Sequence, residues 1–276
     1  MRLSSAQLRD LKRQGRKITM LTGYDYPTAA AEQESGVEVI LVGDSVGSNE
    51  LGYANEREVT LADITHHLRA VRRGAPETHV LADLPFGAYE TPEAALANAR
   101  TLVAAGADSV KLEGPRLAVI KELVGNGIPV CGHIGLEPQH HERIEIKGKH
   151  AADALRIVAE AEAIAGAGAF MIVLELIPEE LGALVSRRIP IPTIGIGAGR
   201  LTDGQVLVVH DMLGIGQRSF RHNRRYDEFG TRMRTAIGRY RDEVRGGQFP
   251  GQENASHMAD DELAEVNQSL GEPKRS

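Results

Sequence analysis

Four short apolar runs in this chain each end on an acidic residue: 39–43 before Asp44, 80–82 before Asp83, 110–112 before Glu113 and 171–174 before Glu175. Runs of this length, flanked by Gly and Pro and separated by stretches of helical period, predict parallel strands joined by helical crossovers. If those strands close into a barrel, their carboxyl ends share one mouth. Carboxylates from four distant places in the chain then meet there.

The alternation is steady along most of the chain. Ser4 offers a cap for a first helix ending near Gly15. Strands are expected over 17–21, 39–42, 80–82, 109–112, 129–134, 170–174, 193–196 and 206–209. Helices open at Pro27 and cover 60–73, 91–105, 116–124, 151–165 and 178–187. The link between the last two strands is too short for a normal helix. This count predicts an α/β chain folded as a (β/α)8 TIM barrel, with a short N-terminal helix and a C-terminal helical extension. A doubly wound open sheet is the alternative. No repeat of solenoid type is visible.

With 276 residues and 42% hydrophobic content, the chain can bury one large core. Residues 1–249 are expected to form a single barrel domain that includes the N-terminal helix and a helix over 227–244. Residues 250–276 read as a polar, flexible tail with at most a short helix. Before that helix lies a basic cluster of Arg218, Arg221, Arg224 and Arg225. It reads as solvated surface, with an oligomer contact or a clamp on an anionic substrate tail as alternatives.

A formal charge of −6 gives no footprint for nucleic acid and favours small-molecule chemistry. No apolar stretch reaches the roughly 20 residues that span a bilayer, and the first ten residues are charged where a signal peptide is apolar. Cytoplasmic location with no membrane partner is the expectation. The single cysteine, Cys131, falls in a predicted strand and reads as a buried, inert thiol.

Side chains two apart on a strand share a face, so Lys111 and Glu113 point the same way. A lysine directed into a barrel needs a carboxylate or a ligand anion beside it, and a structural pair with Glu113 is one possibility. Asp44, Asp83 and Glu113 supply hard oxygens of the kind Mg²⁺ prefers, although a lone Asp at a strand end also caps helices. His133 lies one strand over, at the carboxyl end of its strand, either as a site residue or as a satisfied core histidine. The neighbouring pairs His66-His67 and His140-His141 cannot turn both rings to one face and read as surface or loop histidines. None of the histidines has zinc spacing. In Gly195-Ile196-Gly197-Ala198-Gly199 the third glycine comes too early for a dinucleotide fingerprint, so a tight barrel-end turn is expected.

Taken together, several stretches resemble the ketopantoate hydroxymethyltransferase family. They are Leu21-Thr22-Gly23-Tyr24-Asp25-Tyr26, Leu41-Val42-Gly43-Asp44-Ser45, Val71-Arg72-Arg73-Gly74-Ala75-Pro76 and Ala82-Asp83-Leu84-Pro85-Phe86. Val110-Lys111-Leu112-Glu113-Gly114, Gly132-His133-Ile134-Gly135-Leu136 with Pro138-Gln139, and Leu174-Glu175 with Pro178 follow. The glycine turn at 195–199 leads on through Asp203-Gly204-Gln205 to His210-Asp211. The likeness runs in order from Ile18 to Leu213.

That resemblance implies a (β/α)8 barrel assembled as a homodecamer. It implies an enzyme that uses Mg²⁺ and 5,10-methylenetetrahydrofolate to hydroxymethylate 3-methyl-2-oxobutanoate in the pantothenate pathway, through a metal-stabilised enolate. It implies Asp44, Asp83 and Glu113 around the metal, and Ser45, Asp83, Lys111 and His133 about the 2-oxoacid. Glu175 is implied as the base. The chemistry is coherent, because a 2-oxoacid chelating Mg²⁺ becomes acidic at the neighbouring carbon, and the base must be free of the metal.

The chain departs from the family wording at 50–58, at Gly114-Pro115, and after Gln139, where it runs His140-His141-Glu142-Arg143-Ile144-Glu145-Ile146-Lys147-Gly148-Lys149. These changes leave three alternatives: a paralogue acting on another 2-oxoacid, a carbon-carbon lyase of the phosphoenolpyruvate mutase and isocitrate lyase type, and a catalytically silent binding paralogue. The lyase group carries a catalytic loop cysteine, whereas Cys131 is placed on a strand.

Overall fold

The computed structural model describes residues 2–139, 145–216 and 221–271. It divides into two compact units, one running to Asp227 and the other starting at Glu228.

The first unit alternates strand and helix. Its strands are β1 (Ile18–Thr22), β2 (Val39–Val42), β3 (His79–Asp83), β4 (Ser109–Lys111), β5 (Val130–Gly135), β6 (Met171–Glu175), β7 (Thr193–Ile196) and β8 (Gly204–Leu207). They pair in chain order, all parallel, and β8 returns to β1 to close the barrel. The helices are α1 (Ser5–Arg13), α2 (Tyr26–Glu34), α3 (Leu61–Gly74), α4 (Pro92–Ala105), α5 (Leu117–Gly125), α6 (Ala151–Gly166), α7 (Glu179–Arg188) and the short α8 (Val209–Leu213). The (β/α)8 barrel expected from the alternation is therefore the fold.

Short-range chemistry sets the helix starts. Thr60 and Asp63 form a reciprocal capping box at α3, Thr91 caps α4 ahead of Pro92, and Asp25 caps α2 with Pro27 in its first turn. Each such cap stabilises by about 1 kcal/mol.

Strands β2 to β5 are buried at every position, as parallel strands are when helices cover one face and a filled barrel the other. Alternate residues sort into two cores. Ile40, Val42, Val80, Ala82, Val110, Ile172 and Leu174 pack outward with helix residues such as Leu68, Leu102 and Ile120. Met20, Leu41, Leu81, Cys131, Met171, Val173 and Ile194 fill the interior.

The base of that interior is closed by α1. Leu8 and Leu11 join the interior cluster beside Ile18, Val39 and Phe170, which begin or immediately precede strands. The Lys12 ammonium donates to the carbonyls of Ser186 and Ile191 at 2.7 and 2.9 Å and pairs with Asp203 at 2.9 Å. The Leu3 carbonyl lies 2.8 Å from His79 Nδ1. All these partners stand at the N-terminal end of the barrel.

The first seven strands fall within one residue of expectation at each end, and the last lies two residues earlier. The last strand is Gly204–Leu207, not 206–209, and Val209 already begins α8. The apolar run at 206–209 suggested the later start, but pairing decides it: Gly204 lies opposite both Ile18 and Ile194. A Cβ at Gly204 would come within 2.4 Å of the Ile18 carbonyl oxygen, so this close approach is open only to glycine. The β7–β8 link carries no helix, as expected, and Gly197 and Gly199 take left-handed φ of 67° and 77° in it.

In the second unit, α9 (Phe229–Arg245) begins two residues later than the expected 227, and α10 (Asp260–Leu270) is the short helix of the polar tail. Among the described residues, no helix is long and apolar enough to cross a membrane.

Candidate active site

The same alternation that fills the barrel with apolar side chains puts polar ones at its top. Reading upward on the inner face, Leu81 is followed by Asp83, Ser109 by Lys111 and Glu113, Cys131 by His133, and Val173 by Glu175. Strand register then brings Asp83 level with Lys111, and Gly135 level with Glu175. A cavity of about 780 Å³ opens there and is lined by Asp44, Ser45, Asp83, Lys111, Glu113, His133 and Glu175. Every site residue expected from the sequence is in it.

At the floor, the Lys111 ammonium donates to Asp83 Oδ1 at 2.6 Å, both side chains being buried. The partner is thus Asp83 and not Glu113. Burial alone would push the lysine pKa down, but Asp83, Asp44 and Glu113 outweigh it and hold the ammonium above the ordinary lysine range. Asp83 Oδ2 accepts from the Asp44 backbone N–H at 3.0 Å, which pins the turn after β2. The Asp44 carboxyl is driven well above the usual carboxylate range, first by burial and then by Asp83. Three acidic groups around one ammonium make this floor short of positive charge.

Across the cavity, His133 stands between two glutamates. Nδ1 is 3.4 Å from Glu113 Oε1 and Nε2 is 3.2 Å from Glu175 Oε2, ion-pair distances without well-directed hydrogen bonds. Burial opposes protonation of the ring, yet Glu113 and Glu175 raise its pKa to about 10. Glu175 is the least buried of the acids, its side chain 18% exposed. Leu176, immediately after it, holds a φ of 46° that a leucine adopts only under constraint. Its N–H donates to the Ile196 carbonyl and its own carbonyl accepts from Lys147, both at 2.9 Å. These bonds fix where the strand ends and the glutamate points.

Three residues here carry roles that sequence reasoning did not give them. The Tyr24 hydroxyl is 2.7 Å from Ser45 Oγ. Gln139 is fully buried: its Nε2 donates to Asp44 Oδ2 at 2.7 Å, and its backbone N–H donates to Glu113 Oε2 at 3.0 Å. Tyr89 donates its hydroxyl to Gln139 Oε1. Tyr24 and Gln139 fall inside the stretches that carried the family resemblance, but nothing local to them signals these contacts.

The remaining candidates lie elsewhere. His66 is exposed on α3, and His67 turns Nδ1 to the Tyr24 carbonyl at 2.6 Å. Cys131 is buried in the barrel interior, its thiol pushed up to about 12 by burial. Arg221, Arg224 and Arg225 are exposed, with Arg224 over the Tyr226 ring at 5.1 Å. His140, His141 and Arg218 lie outside the described residues.

Among the described residues, no group of three or more His, Cys, Asp or Glu side chains is gathered closely enough to hold a metal alone. Mg²⁺ does not demand one. It binds through one or two carboxylates and keeps water positions that a substrate can take. The neighbouring Asp44 and Asp83 offer hard oxygens on a charge-deficient floor, so the donor set fits that ion.

Comparison with known proteins places the chain in a family. The family described as ketopantoate hydroxymethyltransferase matches residues 2–252. The chain is 46% identical over 270 residues to 3-methyl-2-oxobutanoate hydroxymethyltransferase of Chloroflexus aurantiacus, covering 96% of each. Among solved structures it is similar to phosphonopyruvate hydrolase in complex with oxalate and Mg²⁺, with a TM-score of 0.60, 13% identity and coverage of 98% and 96%. It is also similar to 2,3-dimethylmalate lyase, a member of the phosphoenolpyruvate mutase and isocitrate lyase superfamily, with a TM-score of 0.59, 16% identity and coverage of 97% and 99%. At such identities these two speak for the fold alone.

Proposed function

The chain belongs to the ketopantoate hydroxymethyltransferase family, and we propose that it hydroxymethylates 3-methyl-2-oxobutanoate to 2-dehydropantoate, a step of pantothenate biosynthesis. The observation that carries this reading is the division of labour in the cavity. Asp44, Asp83 and Lys111 form a charged floor, while Glu175 stands apart, facing His133. Three further elements rest on the family resemblance: 5,10-methylenetetrahydrofolate as one-carbon donor, a homodecameric assembly and a cytoplasmic location.

Mg²⁺, held by Asp44 and Asp83 with Glu113 beside them, would polarise the keto oxygen and acidify the neighbouring C–H. The chain's own groups do the rest. Lys111 holds Asp83 in place and directs positive charge at the oxyanion side of the substrate. Ser45, positioned by Tyr24, is a donor for the substrate carboxylate. Glu175 takes the C3 proton, and protonated His133 holds its carboxylate in orientation. The electron pair left at C3 forms the bond to the one-carbon unit, water supplies the hydroxyl, both C–N bonds of the donor break, and tetrahydrofolate leaves with its two nitrogens reprotonated.

The test is proton exchange. Incubated with Mg²⁺ and 3-methyl-2-oxobutanoate in D₂O, the protein should wash out the C3 proton without folate, and product should require the folate. Absence of exchange with every 2-oxoacid tried would favour a silent binding protein. A lyase reading is disfavoured by Cys131, the chain's single cysteine, which is buried below the cavity as a neutral thiol. Arg57, from the divergent 50–58 stretch, lines the cavity mouth. The informative substrate panel therefore includes 2-oxoacids bearing a second carboxylate.

A further inference from the structure

Gln139 has no part in the chemistry as set out so far, yet it touches more of the site's framework than any group that does. Its side-chain amide reaches Asp44 Oδ2 and, at 3.3 Å, the Leu84 carbonyl; its N–H binds Glu113 Oε2; its carbonyl accepts from Arg57 Nε at 3.0 Å. The residue thus connects the chain following β2, β3 and β4 with the loop at 57.

The orientation of the amide is determined by its neighbours. On one side stand two acceptors, the Asp44 carboxylate and the Leu84 carbonyl, and on the other the Tyr89 hydroxyl. Exchanging the amide oxygen and nitrogen would set oxygen against both acceptors, so only one orientation satisfies all three partners. A buried polar group satisfied in this way is rigid and directional, and each lost bond leaves a desolvated group behind. Asp44, whose carboxyl is crowded by Asp83, most needs such a donor.

We propose that Gln139, oriented by Tyr89, is a positioning residue that fixes Asp44 and Glu113 relative to each other and so sets the geometry of the acidic floor. The role rests on the function proposed above, since it matters through the cation and 2-oxoacid that the floor receives. Gln139 does not touch the reacting atoms. It acts by holding one Asp44 oxygen so that the carboxylate is presented in a single rotamer.

The decisive experiment is calorimetric titration of the full chain with Mg²⁺ alone, comparing wild type with Gln139→Met and Tyr89→Phe. Gln139→Met keeps the length and volume of the side chain and removes its hydrogen bonds. It should weaken Mg²⁺ binding about tenfold, the loss expected for a bond to a charged group. Tyr89→Phe leaves Gln139 in place but strips the donor from its amide oxygen and so loosens the side chain, and should weaken binding about threefold, in line with the loss of a neutral hydrogen bond. In exchange assays the Mg²⁺ concentration for half-maximal rate should rise in parallel, with little change in rate at saturating metal. Wild-type affinity in both variants overturns the positioning role while leaving the proposed function intact. If wild type itself binds no Mg²⁺, the two fall together. Should Gln139→Met not fold, Tyr89→Phe decides alone, and unchanged binding in it counts against the proposal.

Discussion

Glu175 and His133 face each other at 3.2 Å from adjacent strands, and His133 leans on Glu113 with its other ring nitrogen. The proposed base therefore has a cationic partner in the chain itself. Replacing Glu175 by Gln keeps the shape and removes the proton acceptor. Exchange at C3 should fall by about 10²- to 10⁴-fold, the usual worth of a positioned base. Mg²⁺-dependent binding of the 2-oxoacid, followed by calorimetry, should persist. Retained exchange would take Glu175 out of the base role.

Asp83 faces both Lys111 and the Asp44 backbone. Asp83→Asn strands a buried ammonium, and breaking a buried pair in this way costs about 3–5 kcal/mol. Thermal stability should drop, and affinities for Mg²⁺ and substrate should weaken together. Metal affinity equal to wild type in a folded Asp83→Asn protein would count against its place at the metal.

Gly135 ends β5 with φ of 104°, and a Cβ there would lie 2.1 Å from the Glu175 carbonyl oxygen. Gly135→Ala must push the two strand ends apart at the point where Glu175 is held. The backbone strain alone is about 1–3 kcal/mol. Melting temperature should fall by about 5 °C or more, given about 2–4 °C per kcal/mol in a chain of this size. Exchange should slow with it. A variant that melts and reacts like wild type would show that β5 and β6 do not approach this closely.

Glu32, on α2, is buried, and neither carboxylate oxygen has a hydrogen-bond partner among the described residues. Burial, with a smaller contribution from Asp25, lifts its pKa from 4.5 to about 8. The folded state thus holds a proton that the unfolded chain releases, so the stability tied to that proton is complete below about pH 4.5 and is lost as pH rises through about 8. Glu32→Gln should flatten this part of the curve, gaining on the order of a few kcal/mol at pH 9 relative to wild type. Denaturant titrations at pH 5, 7 and 9 read it directly, and parallel curves for the two proteins would sink the idea.

The pH dependence at His133 has the same sign and a higher window. Its folded pKa of about 10 lies above the ordinary 6.5, so the stability from its two glutamates is complete below about 6.5 and lost as pH rises through about 10. An NMR titration of the imidazole should show it still protonated at pH 8. A midpoint near 6.5 would mean that the ring is not held between charges.

The acids at the strand ends were legible in the sequence because the signal is local. An apolar run, its parity and the residue that ends it all lie within five or six positions, and barrel closure does the gathering. Gln139 was not legible in that way. It meets Asp44 across 95 positions and Tyr89 across 50, and no pattern near residue 139 encodes either encounter. Lys111 lies between these cases: its inward direction follows from strand parity, but its choice of Asp83 over Glu113 follows from the β3–β4 register. The start of β8 was misplaced for a related reason, because a glycine with no strand propensity of its own was needed where two neighbours press close.

With apolar side chains filling the barrel and α1 packed beneath them, the floor of the cavity is held from below by a core that no compound crosses, so whatever binds there is expected to enter and leave from the side of the strands' carboxyl ends.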